Sequence, residues 1–455
     1  MSGEILLVPG KLPASSPAAV QAPPSKSITH RSLIAVALAA GASRLRQALE
    51  SEDTCATSGI LRALGAEIRA ESADLLINGL AGKIEHRGKE PLLCNVHESG
   101  TTCRLLAAVL AAGQGSFRFA GSGRMCRRPM GELTRALAGL GAEISFAGEP
   151  GCLPFVLRAS GLRPAELEID ISRSSQYLSG LLLAAPLTSG LKLIPTAAAG
   201  EEIVSWSYVQ LTLQILEAHG INFTVEQRAC ADAPWQPAAW RSLSRPGSGL
   251  CRICVEPGTY RSGVYEIEGD FSNASYLLAA GAAGRRPVRV NNLAPDSLQG
   301  DRVIMRIIEQ MGGKVRILGR AVEVSPPDGA LQGIDINMGD CPDLVPTVAV
   351  MAAFAKGTTR ISGVAHLRIK ESDRIAAPAA ELARTGCVVH AQEDGLVIIP
   401  PDRLTPPAAP FETYNDHRMA MSLALFSCAG FSVQIRNPAC VAKSFPDFWK
   451  VWELI

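Results

Sequence analysis

Five charged side chains lie within residues 368–374. Three are cationic and two are acidic: Arg368, Lys370, Arg374, Glu371 and Asp373. Arginine and lysine bind phosphate and carboxylate groups, and a carboxylate can exchange a proton with a substrate. Cations are unfavourable at the N-terminus of a helix unless an anion lies among them. The stretch therefore indicates a binding site for an anion, and the alternative is a solvated helix start with local ion pairs.

Similar groups of polar and cationic residues recur along the chain. They are Lys26 between two serines with Arg31 five positions later, the glycine-flanked loop 121–129 with Arg124, Arg127 and Arg128, the Ser-Ser-Gln of residues 174–176, Asp343, and the Asn-Asp-His-Arg of residues 415–418. Helix capping explains the serines, and Asp343 is open to two interpretations, an N-cap or a proton acceptor. Capping does not explain the cations, which favour a phosphate or carboxylate site.

These residues precede the helices of a unit that recurs six times. In each copy a polar turn leads into an apolar helix of small residues, and a Gly break and a short strand follow. The predicted helices are residues 31–40, 103–112, 177–187, 274–283, 344–355 and 417–428. A wider gap between the third and fourth copies contains residues 229–250, which we interpret as an inserted loop. In the charged stretch itself, Leu367 and Ile369 predict a strand end, and residues 371–373 predict the next helix start.

The repeats predict two domains of three mixed helix and strand units each. The first is residues 22–266, and the second is residues 1–21 with 267–455, since strand Ile5–Val8 precedes the first copy. The repeated helices are apolar nearly all round, so we expect them to be buried. Their polar N-termini would then gather at one surface, where helix dipoles and free N–H groups favour an anion.

Composition excludes several classes of protein. The net charge is +1 and hydrophobic residues make up 47%, which gives a globular composition without general attraction to nucleic acid or membrane. No apolar run reaches the roughly 18 residues of a membrane span, and the start lacks the basic region of a signal peptide. The 12 cysteines are scattered, which fits a reducing cytoplasm. Cys251 and Cys254 form the tightest pair and favour a strand with free thiols over a zinc site.

Seven motifs in one order resemble the EPSP synthase family of 3-phosphoshikimate 1-carboxyvinyltransferases. They are residues 25–31 (Ser-Lys-Ser to Arg), 124–129 (Arg to Arg-Pro), 174–176, 268–270 (Glu-Gly-Asp), 369–374, 414–421 (Tyr-Asn-Asp-His-Arg-Met-Ala-Met) and 442–447 (Ala-Lys-Ser-Phe-Pro-Asp). The resemblance runs from about Lys26 to Asp447. It implies an α/β (α+β) fold with a two-domain inside-out architecture, in which each domain has three βαβαββ-like repeats with buried parallel helices and the domains close on a cleft.

The resemblance also implies the reaction, which transfers the enolpyruvyl group of phosphoenolpyruvate to shikimate 3-phosphate. It implies three sets of site residues. The set for shikimate 3-phosphate is Lys26, Ser27, Arg31, Ser174, Ser175, Gln176, Ser205, Tyr208, Asp343 and Lys370. The set for phosphoenolpyruvate is Lys26, Gly100, Arg128, Gln176, Arg374, Arg418 and Lys443. The catalytic set is Asp343 and Glu371 as acid–base residues, with Lys26. No cofactor and no metal is implied, and we expect a cytoplasmic monomer that binds no nucleic acid.

The chain departs from the family pattern at two places. Glu98-Ser99 stands before Gly100 where Asn-Ala is frequent, and His366 stands where some members have Asn. An acid beside a phosphate site is costly unless it is paired, so we expect Glu98 to point away or to bind an arginine.

Two other functions compete with this hypothesis. A UDP-N-acetylglucosamine enolpyruvyl transferase would have a loop cysteine five residues before the Arg-Pro pair, whereas here Cys126 lies only two before Arg128. A non-catalytic anion-binding repeat protein is the other, and the presence of both Asp343 and Glu371 argues against it.

Overall fold

The computed structural model describes residues 4–455. The chain divides into two compact units, which are Ser25–Ile267 (the first unit) and Met1–Pro24 with Glu268–Ile455 (the second unit). Among the described residues, no helix is both long and apolar enough to cross a membrane.

Twelve α-helices are assigned in the described chain. The first unit contains α1 (Lys26–Leu38), α2 (Glu52–Ala63), α3 (Gly100–Ala111), α4 (Gly131–Gly139), α5 (Gln176–Ala184) and α6 (Trp206–Ala218). The second unit contains α7 (Phe271–Ala283), α8 (Ile304–Gln310), α9 (Val345–Ala352), α10 (Ala376–Ala383), α11 (His417–Leu423) and α12 (Phe448–Glu453).

Short strands alternate with these helices. Residues 4–267 form β1 (Ile5–Val8), β2 (Ala18–Gln21), β3 (Ala42–Arg46), β4 (Glu67–Glu71), β5 (Asp74–Asn78), β6 (Leu92–Asn95), β7 (Gln114–Ala120), β8 (Glu143–Phe146), β9 (Phe155–Ser160), β10 (Ala165–Asp170), β11 (Leu191–Thr196), β12 (Phe223–Gln227), β13 (Gln236–Pro237), β14 (Cys251–Val255) and β15 (Val264–Glu266). The remainder form β16 (Val288–Asn291), β17 (Lys314–Leu318), β18 (Ala321–Ser325), β19 (Leu331–Gln332), β20 (Asp335–Asn337), β21 (Ala355–Lys356), β22 (Thr359–Ser362), β23 (Val388–Ala391), β24 (Leu396–Ile399) and β25 (Val433–Arg436).

Five sheets share one strand pattern, a parallel pair followed by two antiparallel strands. In the first unit these are β15-β3-β5-β4, β6-β7-β9-β8 and β10-β11-β14-β12, which β13 extends. In the second unit they are β2-β16-β18-β17 and β20-β22-β24-β23. The sixth copy is reduced to β1 paired antiparallel with β25, and a parallel bridge joins Phe411 to β25. The predicted repetition of mixed units is therefore confirmed.

One long helix in each copy is buried on nearly all sides. In α3 every residue except Thr101 is buried, and in α7 all but the last residue are. Small side chains allow this close packing. A Cβ at Gly180 of α5 would lie 2.7 Å from the carbonyl oxygen of Arg104 on α3, so only glycine lets the two helices approach this closely. The predicted burial of the repeated helices is confirmed.

Three of the predicted helices are too long. The third is α5 followed by a 3-10 turn, Ala185–Leu187, that contains Pro186. The fifth, α9, ends at Ala352, three residues before the predicted end, and the sixth changes from α11 to a 3-10 helix at residues 424–429. Proline explains the first change, because it lacks the N–H that an α-helix needs.

The local prediction for the charged stretch was wrong. Leu367 and Ile369 lie in a 3-10 helix, Ala365–Ile369, and not at a strand end. Helix α10 begins only at Ala376, and Asp373 accepts hydrogen bonds from the backbone N–H groups of Ile375 and Ala376, both at 3.0 Å. Asp373 therefore satisfies free N–H groups at the helix start, although the helix begins later than predicted.

The predicted inserted loop packs on the first unit. Residues 236–237 form β13 beside β12. The guanidinium carbons of Arg228 and Arg252 lie 4.4 Å and 4.6 Å from the centre of the Trp235 ring. Gln210 on α6 donates to three backbone carbonyls of the loop. Cys251 and Cys254 lie on β14 with free thiols, as the strand interpretation predicts.

Candidate active site

Asp343 of the second unit binds two buried arginines. One carboxylate oxygen lies 2.9 Å from Nη1 of Arg374, and the other lies 2.7 Å from Nη2 of Arg418. Both arginine side chains are almost fully buried, whereas Asp343 keeps 22% of its side chain exposed. A carboxylate held by two guanidinium groups with one face open to solvent can still be reached by a substrate.

Asp416 fixes Arg374 from the other side. Its oxygens accept from Nε at 2.8 Å and Nη2 at 3.1 Å of Arg374, and it also accepts from the hydroxyl of Ser372 at 2.8 Å. As the N-cap of α11, Asp416 accepts from the backbone N–H of Arg418. One buried carboxylate therefore places both arginines that bind Asp343.

Glu371 completes this cluster. It lies 2.9 Å from Nη2 of Arg374 and 3.9 Å from Nζ of Lys443. Lys370, the adjacent residue, is close enough for its charge to act on Asp343. The structure thus brings together all six residues of the second unit that the sequence singles out for the site.

The arginines control the charge of Asp343. Burial would raise the pKa of this carboxyl group, but the cations Arg418, Arg374 and Lys370 outweigh burial and hold its pKa well below the usual range. Burial likewise lowers the pKa of the Arg374 guanidinium, and the nearby carboxylates, above all Asp416, reverse this and raise it. Both groups are therefore ionised at neutral pH.

A second carboxyl group in the same unit behaves differently. Asp301 is fully buried, binds the hydroxyl of Ser272, and has one oxygen without a hydrogen-bond partner among the described residues. Burial raises the pKa of Asp301 to about 7, and the charge of Asp343 adds to this effect. Near neutral pH Asp301 is thus protonated in a large fraction of molecules, while Asp343 stays ionised.

In the first unit, Lys26 forms an ion pair with Asp53. Lys26 is the first residue of α1, capped by Ser25, and its Nζ lies 3.1 Å from Oδ2 of Asp53 on α2. Helix α2 is itself capped by Ser51, and Asp53 lies in its first turn. The acid therefore offsets a cation that would be unfavourable at the N-terminus of α1.

Arg31 is buried with neutral partners. Its guanidinium donates to the hydroxyls of Thr212 (2.8 Å) and Ser179 (3.3 Å) and to the carbonyls of Ser27 (2.9 Å) and Tyr208 (3.2 Å). Burial lowers the pKa of Arg31 to about 10. No carboxylate is among its partners in residues 4–455, so this buried charge favours an anionic ligand nearby.

Gly100 and Arg128 touch. Gly100 is the first residue of α3, and Ser99, not Gly100, is the N-cap of this helix. A Cβ at Gly100 would lie 2.6 Å from Nη1 of Arg128, and Arg128 is buried. The absence of a side chain at this position therefore allows the guanidinium to lie against the start of the helix.

Gln176 is held by two residues of α3. Its Nε2 donates to the hydroxyl of Thr101 at 2.9 Å, and its Oε1 accepts from Nη1 of Arg104 at 2.9 Å. Arg104 also donates to the carbonyl of Pro129, the residue after Arg128. Arg104 thus connects two of the predicted ligand-binding residues.

The remaining predicted residues of the first unit lie at helix starts. Ser174 and Ser175 are buried before α5, and Ser174 accepts from the backbone N–H of Gln176 at 3.3 Å. Ser205, the N-cap of α6, has the left-handed conformation with φ 56°, and Tyr208 follows one turn later with its side chain partly buried.

Of the two departures from the family pattern, the structure explains more about Glu98 than about His366. The carboxylate of Glu98 packs against Gly123 of the arginine loop, in the place where a side chain at residue 123 would stand. Glu98 thus faces the arginine loop. His366 lies in the 3-10 helix that precedes the charged stretch.

Four contributing residues were missed by sequence reasoning. They are Asp53, Arg104, Asp416 and Ser372, and all four are buried. The first three bind the predicted site residues Lys26, Gln176 and Arg374, whereas Ser372 binds Asp416. Asp416 and Ser372 lie inside recognised motifs, so that signal was available. Arg104 is an arginine in an otherwise apolar helix, which is a signal for a functional cation. Asp53 carries no signal beyond that of an ordinary acid in a first helical turn.

Comparison with known proteins gives one consistent result. The family model described as EPSP synthase (3-phosphoshikimate 1-carboxyvinyltransferase) matches residues 13–231 and 246–452, and skips most of the inserted loop. The 3-phosphoshikimate 1-carboxyvinyltransferase of Nitrosomonas europaea is 39% identical over 439 residues, which cover 96% of this chain and 95% of the relative. That of Methanoculleus marisnigri is 39% identical over 443 residues, with 95% of each chain covered.

Solved structures agree with the sequence comparison. An EPSP synthase from Acinetobacter baumannii has a TM-score of 0.75 and 25% identity, and the match covers 99% of this chain and 97% of that one. The enolpyruvyl transferase NikO from Streptomyces tendae has a TM-score of 0.71 at 17% identity, with 99% and 97% covered, which shows a shared fold.

Proposed function

The chain belongs to the EPSP synthase family, and we propose how its own side chains carry out that family's reaction. It transfers the enolpyruvyl group of phosphoenolpyruvate to the 5-hydroxyl of shikimate 3-phosphate and releases phosphate, a step in the biosynthesis of aromatic amino acids. The whole-chain matches favour this reaction over transfer to UDP-N-acetylglucosamine and over a non-catalytic anion-binding repeat protein.

We propose that the buried cations bind the substrate anions. In this proposal phosphoenolpyruvate is bound by Lys26, Gly100, Arg128, Gln176, Arg374, Arg418 and Lys443. Shikimate 3-phosphate is bound by Lys26, Ser27, Arg31, Ser174, Ser175, Gln176, Ser205 and Tyr208, and its reacting hydroxyl by Asp343 and Lys370. Two observations support these assignments. Arg31 is buried among neutral hydrogen-bond partners, and Gly100 leaves the start of α3 without a side chain.

Asp343 and Glu371 are proposed to move the protons. In the addition step the 5-hydroxyl oxygen bonds to the central carbon of phosphoenolpyruvate, Asp343 accepts the hydroxyl proton, and Glu371 gives a proton to the methylene carbon. In the elimination step Glu371 takes a proton back from the new methyl group, the carbon–carbon double bond forms again, the carbon–oxygen bond to phosphate breaks, and Asp343 returns its proton to the leaving phosphate. Glu371 lies 2.9 Å from Arg374, which also binds Asp343, so the two acid–base groups share one arginine.

Substrate binding would make Asp343 a stronger base. The pKa of its carboxyl group is held low chiefly by Arg418 and Arg374. When the carboxylate or phosphate of phosphoenolpyruvate binds these guanidinium groups, its negative charge offsets theirs, and the pKa of Asp343 rises toward the value that a base requires. Proton acceptance is thereby coupled to occupancy of the anion site.

The observation that carries the proposal is the carboxylate of Asp343 between two buried arginines, one of which also binds Glu371. The test is a phosphate-release assay with purified protein. We expect release from phosphoenolpyruvate only when shikimate 3-phosphate is added. Release with UDP-N-acetylglucosamine as the acceptor, or no release with either, would overturn the assignment.

We also propose that the protein acts as a monomer in the cytoplasm. The free thiols of its 12 cysteines support a reducing compartment. Size-exclusion chromatography with light scattering tests the oligomeric state, and a mass twice the 48.0 kDa of the chain would contradict it.

A further inference from the structure

A buried chain of hydrogen bonds links three helices of the first unit. Nδ1 of His30 on α1 lies 2.8 Å from the hydroxyl of Thr57 on α2, and that hydroxyl lies 2.8 Å from the hydroxyl of Thr102 on α3. His30, Thr57 and Thr102 are each fully buried. Three polar groups in an apolar interior are costly to desolvate unless they are paired, so this chain holds the three helices in one register.

Thr102 connects this chain to two further groups. Its hydroxyl also donates to the backbone carbonyl of Asp53 at 3.1 Å and lies 2.8 Å from the hydroxyl of Ser99. Ser99 caps α3 by accepting from the backbone N–H of Thr102 at 3.2 Å. The Thr102 hydroxyl therefore joins the first turn of α2 to the cap of α3.

Each end of this junction leads to a proposed ligand residue. Asp53, whose carbonyl is bound by Thr102, binds Lys26 through its side chain at 3.1 Å. Ser99 is followed by Gly100, which lies against the guanidinium of Arg128. Movement of Thr102 would thus change the distance between the ammonium of Lys26 and the start of α3. Thr102 would act through these contacts without touching a substrate.

The chain consists of neutral groups. Burial lowers the pKa of His30 to about 3, and the cations Lys26 and Arg31 act in the same direction against Asp53. His30 is therefore neutral at neutral pH, and its Nε2 has no hydrogen-bond partner among the described residues. The chain acts through position and not through titration.

We infer that Thr102 is a positioning residue for phosphoenolpyruvate, which rests on the proposed function. Its hydroxyl fixes the first turn of α3, with Gly100 and Arg128, relative to Asp53 and Lys26. The competing interpretation is that the three polar groups only stabilise the core. If Thr102 positions the site, loss of its hydroxyl should change the Michaelis constant for phosphoenolpyruvate. If the polar groups only stabilise the core, it should change the melting temperature alone.

The experiment compares Thr102→Val, Thr57→Val and the double variant with the wild type. Valine keeps the branched shape and removes the hydroxyl. We expect each single variant to raise KM for phosphoenolpyruvate by about threefold to tenfold, the range that one buried hydrogen bond supports. KM for shikimate 3-phosphate should change by less than half as much. Lys26, which is proposed to bind both substrates, is connected to the chain, whereas Ser27 and Arg31 lie outside it. Thr102→Ser keeps the hydroxyl and should remain near the wild type.

The double variant distinguishes an effect of the Thr57–Thr102 hydrogen bond on the site from an effect of lower overall stability. If both threonines act through their shared bond, the rise in KM of the double variant should match that of one single variant, because interacting residues are not additive. Thr385→Val is the matched control: this buried threonine of the second unit donates to the carbonyl of Leu382. It should lower the melting temperature without changing either KM.

Several outcomes would overturn the inference. Unchanged KM for phosphoenolpyruvate in both single variants, with a lowered melting temperature, would leave the chain a structural role only. Equal rises in both Michaelis constants, or additive effects in the double variant, would also contradict it. If Thr102→Val fails to fold, Thr57→Val and Thr102→Ser still decide. Absence of turnover in the wild type would overturn the proposed function instead, so the two failures are distinguishable.

Discussion

The guanidinium of Arg128 occupies the space next to Gly100 that any side chain would fill. The Nη1 atom lies 2.6 Å from the position of a Cβ at residue 100, and the other guanidinium atoms follow at 2.8 and 2.9 Å. These distances are too short for a methyl group, so one of the two residues must move when Gly100 is replaced. Because Arg128 is buried, its displacement changes the anion site and not a solvated surface.

Gly100→Ala should therefore raise KM for phosphoenolpyruvate. We expect an increase of about tenfold or more, since the methyl group displaces a guanidinium that would form charge-assisted bonds to the substrate. Steady-state kinetics at saturating shikimate 3-phosphate measures this. Gly59→Ala is the control: Gly59 lies in α2 with no atom within 4 Å of its Cβ position. It should leave KM unchanged and stabilise the helix by up to about 1 kcal/mol. If KM for phosphoenolpyruvate is the same in Gly100→Ala and Gly59→Ala, Gly100 has only a structural role.

Removal of the proposed acid–base groups should abolish most turnover. Asp343→Asn and Glu371→Gln keep the side-chain shape and remove the basic oxygen, so kcat should fall on the order of hundredfold or more. Asp328→Asn is the control, because Asp328 is an exposed acid that forms an ion pair with Lys314, and it should leave kcat unchanged. Near-normal kcat in either active-site variant, with folding confirmed by circular dichroism, would show that the residue is not a catalyst.

Asp416→Asn should separate the charge of Asp416 from its capping role. Asparagine is as good an N-cap as aspartate, so α11 should remain capped. The charge that balances Arg374 is lost, however, and a buried ion pair that loses one partner is destabilised by about 3–5 kcal/mol. We expect a lower melting temperature and a higher KM for phosphoenolpyruvate, because Arg374 is no longer held from behind. An unchanged KM would indicate that Glu371 and Asp343 suffice to place Arg374.

Asp301 should make stability depend on pH near neutrality. Its pKa is raised to about 7 in the folded protein, chiefly by burial, from an ordinary value near 4 in the unfolded chain. A group with a raised folded pKa contributes stability that is fully present below the unfolded pKa and is lost as pH rises toward the folded one. The free energy of unfolding should thus fall between about pH 4 and pH 7 through this group.

Asp301→Asn removes that dependence. Asparagine is uncharged at every pH and can still accept from Ser272, so the stability of the variant relative to the wild type should increase from pH 4 to pH 8. Urea denaturation at a series of pH values measures the difference. A constant difference across this range would show that Asp301 does not bind a proton in the folded state.

Sequence reasoning succeeded where the signal was local. The six-fold repetition was readable because small residues, Gly breaks and polar turns recur at similar spacing, and helix burial follows from uniformly apolar composition. The family was identifiable because seven motifs, three before residue 267 and four after it, occur in one order along the chain. Helix ends were less predictable: the 3-10 segments at residues 342–344 and 424–429 differ from an α-helix by small changes of backbone angle.

The partners of the site residues were not predictable. Asp416 looks like a helix cap in the sequence, and only the structure shows that it also binds Arg374, 42 positions away. Arg104 binds Gln176, 72 positions away. Such pairs depend on which repeats meet and at what angle, and a single sequence does not contain that information. Thr57 and Thr102 are ordinary helix residues until their hydroxyl groups are found 2.8 Å apart.

The first strands of the chain have consequences for the order of biosynthesis. β1 pairs with β25, with Ile5 opposite Arg436, and β2 pairs with β16, with Ala18 opposite Val288. The ribosome therefore synthesises the whole segment Ser25–Ile267 before either strand has a partner, and β1 has none until residues 433–436 are made. During translation we expect the first unit to fold by itself while the N-terminal strands stay unpaired edges, which are prone to aggregate. Nascent chains that stop before residue 433 should lack protection of residues 5–8 in hydrogen exchange, whereas full-length protein should show it.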